Sequence, residues 1–190
     1  MNTVARAEPK LTINQFLAAY AGREEKFELI DGTPQLMAGA NRRHVRIMGN
    51  LLWRLKERLQ GGPCETLAAD MGIGVSQFTY RLPDIAIYCD PRDLGPRDVE
   101  PMMLHYPRVI FEILSPSTET TDHGIKLDEY QGIESVDTIV FVHPLREAFT
   151  TFERASANEW RTVVHLPGQP LILRDPQVTI AAAEIFAGVR

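Results

Sequence analysis

A mixed-sheet α/β or α+β domain is the fold class predicted by this chain, and three observations predict it. Helical spacing of apolar residues recurs over 12–20, 44–59 and 122–131. Between the last two lie strand-like runs, among them Val109-Ile110-Phe111-Glu112-Ile113-Leu114. After 136–142 the alternation changes to that of an antiparallel meander over 149–154, 160–166 and 171–174.

Residues 1–10 are polar and patternless and read as a loose arm. Ile13, Phe16, Leu17 and Tyr20 then share one helix face, with Thr12 as N-cap and Gly22 as stop. Two short runs around Asp31-Gly32 read as a hairpin. Glu28 alternates with Phe27 and Leu29 and points away from them, to solvent or to a cleft.

The longest helical pattern follows, over 44–59. Val45, Met48, Leu52, Leu55 and Leu59 form its stripe, Ile47 and Leu51 widen it, and Gly61-Gly62-Pro63 ends it. His44 stands at its start. Arg42, Arg43, Arg46, Arg54, Lys56 and Arg58 make a local basic cluster, which is either a solvated helix face or a contact for phosphate.

Strands over 66–75 and 79–88 come next, and Pro83 should loosen pairing beside Asp84. A long proline-rich loop is expected over 90–107. The strand at 108–114 ends at Ser115-Pro116-Ser117-Thr118, and a helix capped by Thr121 or Asp122 puts Asp122, Lys126 and Tyr130 on one face. Residues 180–186 suit a terminal helix.

With 190 residues and no break in composition, one domain spanning 1–190 is expected. No apolar run reaches the roughly 18 residues of a membrane span, and residues 1–10 lack a signal core. A cytoplasmic protein is therefore expected. Cys64 and Cys89 lie far apart without a Cys-x-x-Cys spacing and read as free thiols. The net charge of -5 argues against wrapping long nucleic acid by bulk electrostatics, though it does not exclude a nuclease.

Asp84 and Glu112 each interrupt an apolar strand, and a buried carboxylate needs compensation. On adjacent strands their backbones would lie about 5 Å apart, close enough to share a cation. Two carboxylates with room for water suit Mg2+ or Mn2+. Lys126 would orient a water or offset charge developing on phosphorus.

Pro83-Asp84 followed by Glu112 is similar to the PD-(D/E)XK nuclease signature. That signature has its lysine two residues after the second acid, where this chain has Leu114. The wider pattern joins Phe27-Glu28-Leu29-Ile30-Asp31-Gly32, His44, Leu82-Pro83-Asp84-Ile85, Phe111-Glu112-Ile113-Leu114-Ser115-Pro116-Ser117, and Asp122 with Lys126 and Tyr130. It resembles the Uma-two family of restriction-endonuclease-like proteins over roughly residues 25–145. There the lysine is displaced onto the following helix, as Lys126 is here.

The resemblance implies a restriction-endonuclease-like core, a mixed central sheet flanked by helices with extra antiparallel strands near the C-terminus. It also implies a Mg2+- or Mn2+-dependent endonuclease acting on DNA. Asp84, Glu112 and the Ile113 carbonyl would hold the metal, with Lys126, Glu28 and His44 as further catalytic candidates. A homodimer paired through edge strands of 149–174 would suit double-strand cutting. The competing reading, motivated by Leu114, is an inactive nuclease scaffold kept for binding or regulation.

Overall fold

The computed structural model describes residues 10–20, 22–68, 70–96, 102–115 and 122–189. The expected loose arm, the middle of the proline-rich loop, the Pro116–Thr118 strand end and the Thr121 cap lie outside the described residues.

Helix α1 (Ile13–Tyr20) opens the described chain and buries Ile13 and Phe16 against Leu29, Tyr80 and Leu82. The hairpin of β1 (Phe27–Ile30) and β2 (Thr33–Leu36) turns at Asp31-Gly32. Both turn residues take positive φ, 47° and 81°. A two-residue turn of this hand needs that conformation, which glycine adopts without strain.

Helix α2 spans Arg42–Leu59, two residues earlier than the apolar spacing suggests. The Asn41 side chain caps it by accepting from the His44 N–H at 3.0 Å. Its buried stripe is Ile47, Leu51 and Leu55, whereas Val45, expected inside, is 49% exposed. The inward face is thus rotated relative to the expected stripe.

The two long strands expected over 66–75 and 79–88 are four short ones. They are β3 (Glu65–Ala68), β4 (Gly72–Ser76), β5 (Thr79–Arg81) and β6 (Ile85–Tyr88). After the short helix α3 (Pro91–Leu94) come β7 (Met103–Leu104) and β8 (Pro107–Ile113), so the expected 90–107 loop carries structure of its own. Helix α4 (Asp122–Gln131) leads to β9 (Thr138–His143), β10 (Ala148–Ser156) and β11 (Glu159–His165). β12 (Leu171–Leu173), β13 (Val178–Ile180) and α5 (Ala182–Ile185) complete the order.

These strands form a five-stranded sheet, β2-β1-β5-β4-β7, and a six-stranded sheet, β11-β10-β9-β8-β6-β3. The hairpin over 65–88 therefore bends from one sheet into the other. Leu82-Pro83-Asp84 is one of its two hinges, and proline suits it because it cannot donate to a ladder. β8 and β9 run parallel with α4 as their crossover, and the other neighbours in that sheet are antiparallel.

The six-stranded sheet is covered on both faces. Ile47, Leu51 and Leu55 pack on the side of Val109, Phe111 and Ile113, while Tyr130 packs on the side of Ile110 and Leu114. This two-sided burial explains the nearly unbroken apolar runs of β8 and β9. It also sets Glu112, by alternation, on the α4 side.

The expected third meander strand does not join β11. β12 pairs with β13, because Leu171, Leu173, Val178 and Ile180 are all drawn into the core beneath α2. Cys64 and Cys89 are not free thiols but form a disulfide. The pair Glu65–Tyr88 fixes the β3–β6 register, and one step beyond it brings these two cysteines opposite one another. Among the described residues no helix is long and apolar enough to cross a membrane.

Candidate active site

The break at Pro83 and the β8 ladder together set the geometry of the two acids. β6 and β8 are in register as Ile85–Phe111 and Ala86–Ile110, so one further step brings Asp84 level with Glu112. Ile113 turns its N–H toward the β6 side, donating to Asp84 Oδ2 at 2.7 Å. By antiparallel alternation, the 84–112 pair is then one of the non-hydrogen-bonded pairs, where facing side chains come closest. A strand residue sends its carbonyl off the same edge as its N–H, and the residue level with Ile113 is Pro83, which has no N–H to give. The same proline that ends the strand leaves the Ile113 carbonyl without a ladder donor.

Asp84 Oδ2 also lies 3.1 Å from His44 Nε2. His44 comes from the first turn of α2, so the Asn41 cap is what brings the imidazole to the site. Burial alone would lower the His44 pKa. The hydrogen bond and charge of Asp84, with the charge of Glu112, outweigh it, and the net shift is upward from 6.5. Its Nδ1 is buried without a hydrogen-bond partner.

Glu112 is 7% exposed, and its Oε1 accepts from Lys126 Nζ at 3.0 Å and from Tyr130 OH at 2.6 Å. Lys126 and Tyr130 are four apart on α4 and face the sheet together. Burial pushes the Glu112 pKa up, Lys126 pulls it down, and the nearby Asp84 charge pushes it up again, leaving it raised. Burial would lower the Lys126 pKa, but the charges of Glu112 and Glu28 hold its ammonium well above the usual range.

Glu28, whose direction the sequence left open, faces this cluster and is 6% exposed. Its Oε1 accepts the Leu82 N–H at 3.1 Å and lies 3.6 Å from Lys126 Nζ. Its Oε2 accepts from Arg81 at 2.8 Å. Arg81, 2% exposed, grips Glu129 in a two-pronged pair at 2.7 and 2.9 Å. Sequence reasoning missed Arg81 and Glu129. The signal for Arg81 was its place in an apolar strand, and for Glu129 its spacing of three from Lys126.

The structure thus brings Asp84, Glu112, Lys126, Glu28, His44 and Ile113 into one contiguous group. Leu114, where the usual signature has lysine, is buried among apolar neighbours. Among the described residues, no three His, Cys, Asp or Glu side chains are arranged to hold a metal ion by themselves. The level pair of Asp84 and Glu112, with the Ile113 carbonyl, offers two carboxylates and a main-chain oxygen as donors. Mg2+ tolerates such a set, because it keeps several waters.

A divided sheet with an acid at the hinge, a second acid on the next strand and a lysine reaching it from the following helix is the architecture of a nuclease-fold protein. A crystal structure from Anabaena variabilis, described as "a putative nuclease belonging to DUF820", matches with a TM-score of 0.77 at 15% identity. That match covers 95% of this chain and 99% of the other, so the two share their fold. A model of the Uma2 family, described as "Putative restriction endonuclease", matches residues 13–182, and the chain belongs to that family. Among its relatives, the uncharacterized protein slr1290 of Synechocystis sp. is 28% identical over 95% of this chain and 94% of its own length. A second Synechocystis protein, the uncharacterized sll1609, is 23% identical over 79% of this chain and 84% of its own.

Proposed function

We propose that this chain, acting as a single nuclease-fold domain, is a metal-dependent endonuclease that hydrolyses phosphodiester bonds of DNA. The observation that carries the reading is the level placement of Asp84 and Glu112 across β6 and β8, with the Lys126 ammonium 3.0 Å from Glu112.

The charge inventory of the group fits a divalent cation. Among the described residues Glu28, Glu112 and Glu129 face two fixed cations, Lys126 and Arg81, and Asp84 adds a fourth carboxylate beside them. A dication would remove that excess of negative charge, and the ionised form of Glu112 would then be favoured. Asp84, Glu112 and the Ile113 carbonyl are the groups that would hold Mg2+ or Mn2+. When bound, such an ion supplies Lewis acidity toward a phosphoryl oxygen and makes water more nucleophilic.

The remaining residues act through position and proton control. Lys126 presents its ammonium where the attacking water or the phosphate would approach, and it compensates charge as the phosphorus centre expands. Tyr130 fixes the orientation of Glu112 by donating to it. Glu28 holds Lys126 on one side and Arg81 on the other, so it is a positioning acid. His44 steadies Asp84 Oδ2, and its imidazole is available to exchange a proton beside the reacting phosphate.

The test is cleavage of supercoiled plasmid and of single-stranded DNA in Mg2+ or Mn2+. Wild type should cleave, and Asp84→Ala should be at least about a hundred-fold slower. Equal nicking by the two proteins would overturn the assignment. A scaffold kept for binding is the second reading, favoured by the apolar Leu114 in the usual lysine place. DNA and Mn2+ bound with no cleavage would support it.

A further inference from the structure

The first half of α2 carries charge that the carboxylate group does not use. Arg54 and Arg58 are tied to Glu57 and Glu184, whereas Arg42, Arg43 and Arg46 have no ion-pair partner among the described residues. In a chain of net charge -5, this is a local excess of unbalanced guanidinium groups. Arg43 Nε is also buried without a hydrogen-bond partner.

Two cavities flank these arginines. One of about 320 Å3 lies between Arg42, Arg43 and His44 on α2 and Leu114, Pro144 and Leu145 opposite. The other, about 470 Å3, is lined by Arg42, Val45, Arg46 and Gly49. His44 both walls the first cavity and bonds Asp84, so one side chain links that cavity to the carboxylate pair.

The same helix presents Trp53, 66% exposed, and Val45, 49% exposed. Residues 45, 49 and 53 are four apart and form one outward stripe. At its centre stands Gly49, around which a side chain would meet nothing within 4 Å. An exposed indole two helical turns from the unpaired Arg46 guanidinium matches a polyanion with aromatic faces, since phosphates take the arginines and a base stacks on the ring. From His44 to Trp53 the helix rises about 14 Å, the span of a few nucleotides of an unpaired strand.

We infer that this face of α2 is a track for single-stranded nucleic acid. Arg42, Arg43 and Arg46 take backbone phosphates, Trp53 stacks on a base, and the strand is led past His44 to Asp84 and Glu112. The destination of the strand rests on the nuclease reading; the binding itself does not.

The track is tested with the full chain in EDTA, by fluorescence anisotropy of a labelled 20-nucleotide single-stranded DNA and of the duplex of equal length. Wild type should bind the single strand more tightly. Arg46→Glu should weaken it at least about ten-fold and lower the log–log salt slope by about one. Trp53→Ala should weaken single-strand binding at least about five-fold and leave duplex binding unchanged. All are exposed positions, and circular dichroism would check the fold. Arg174→Glu, near Glu153 at the sheet end away from Ile113, should change nothing. Wild-type affinity in both Arg46→Glu and Trp53→Ala, or a preference for duplex, would overturn the track. Track-dependent binding with no cleavage in Mg2+ would sink the nuclease reading and leave the track standing. Cleavage with binding indifferent to both variants would do the reverse.

Discussion

Asp84 and Glu112 stand level on neighbouring strands, yet the protein holds them by different means. Asp84 lies at the strand break, its side chain 20% exposed, and is held by a backbone N–H and an imidazole. Glu112 lies inside a continuous strand, and its side chain is 10% exposed. It depends on an ammonium and a phenol brought from another element. The first acid is kept by two direct partners, the Ile113 N–H and the His44 imidazole, and the second by a charge network running on through Lys126, Glu28, Arg81 and Glu129. Breaking a buried network costs far more than removing a half-open hydrogen bond, so the two acids should separate in stability even though the proposed chemistry uses both.

The largest expected effect follows from that difference. In urea denaturation, Glu112→Ala should lose about 3–5 kcal/mol, because Lys126 keeps only its longer contact to Glu28. Asp84→Ala should lose about 1–2 kcal/mol. Equal losses would erase the distinction between a directly held and a networked acid.

Lys126→Met comes next. With the ammonium gone, burial and the Asp84 charge act on Glu112 unopposed except by Tyr130, so its pKa should rise further. Carboxyl carbon NMR across a pH series reads this directly. Glu112 titrating lower in the variant than in wild type would mean that Lys126 is not its principal partner.

The smallest effect concerns His44. Its folded pKa lies above 6.5, so the stability it contributes is complete below pH 6.5 and is lost as pH rises through the folded value. Asp84→Asn removes the partner that outweighs burial, and the imidazole should then titrate below its wild-type value. An unchanged His44 titration would detach it from Asp84.

Much of this was legible locally. Asp31-Gly32 announced its turn, and an acid inside the apolar run 109–114 marked Glu112 without any partner in view. What escaped depends on pairing between distant segments. The split of 65–88 between two sheets needed both sheets, since a short strand reads the same in either. The Cys64–Cys89 bond needed the β3–β6 register. The burial of Glu28 needed Arg81, a charged residue inside a strand whose apolar neighbours concealed its importance. α2 misled in a different way. Its outward face carries Val45 and Trp53, so hydrophobic spacing alone could not find the inward one.

The central claim, that Asp84 and Glu112 act as one cation-binding pair, is met most directly by anomalous diffraction from crystals soaked in Mn2+. One anomalous peak between the two carboxylates, absent in Glu112→Gln, is the result expected. A peak elsewhere, or one that persists in Glu112→Gln with undiminished occupancy, would contradict it.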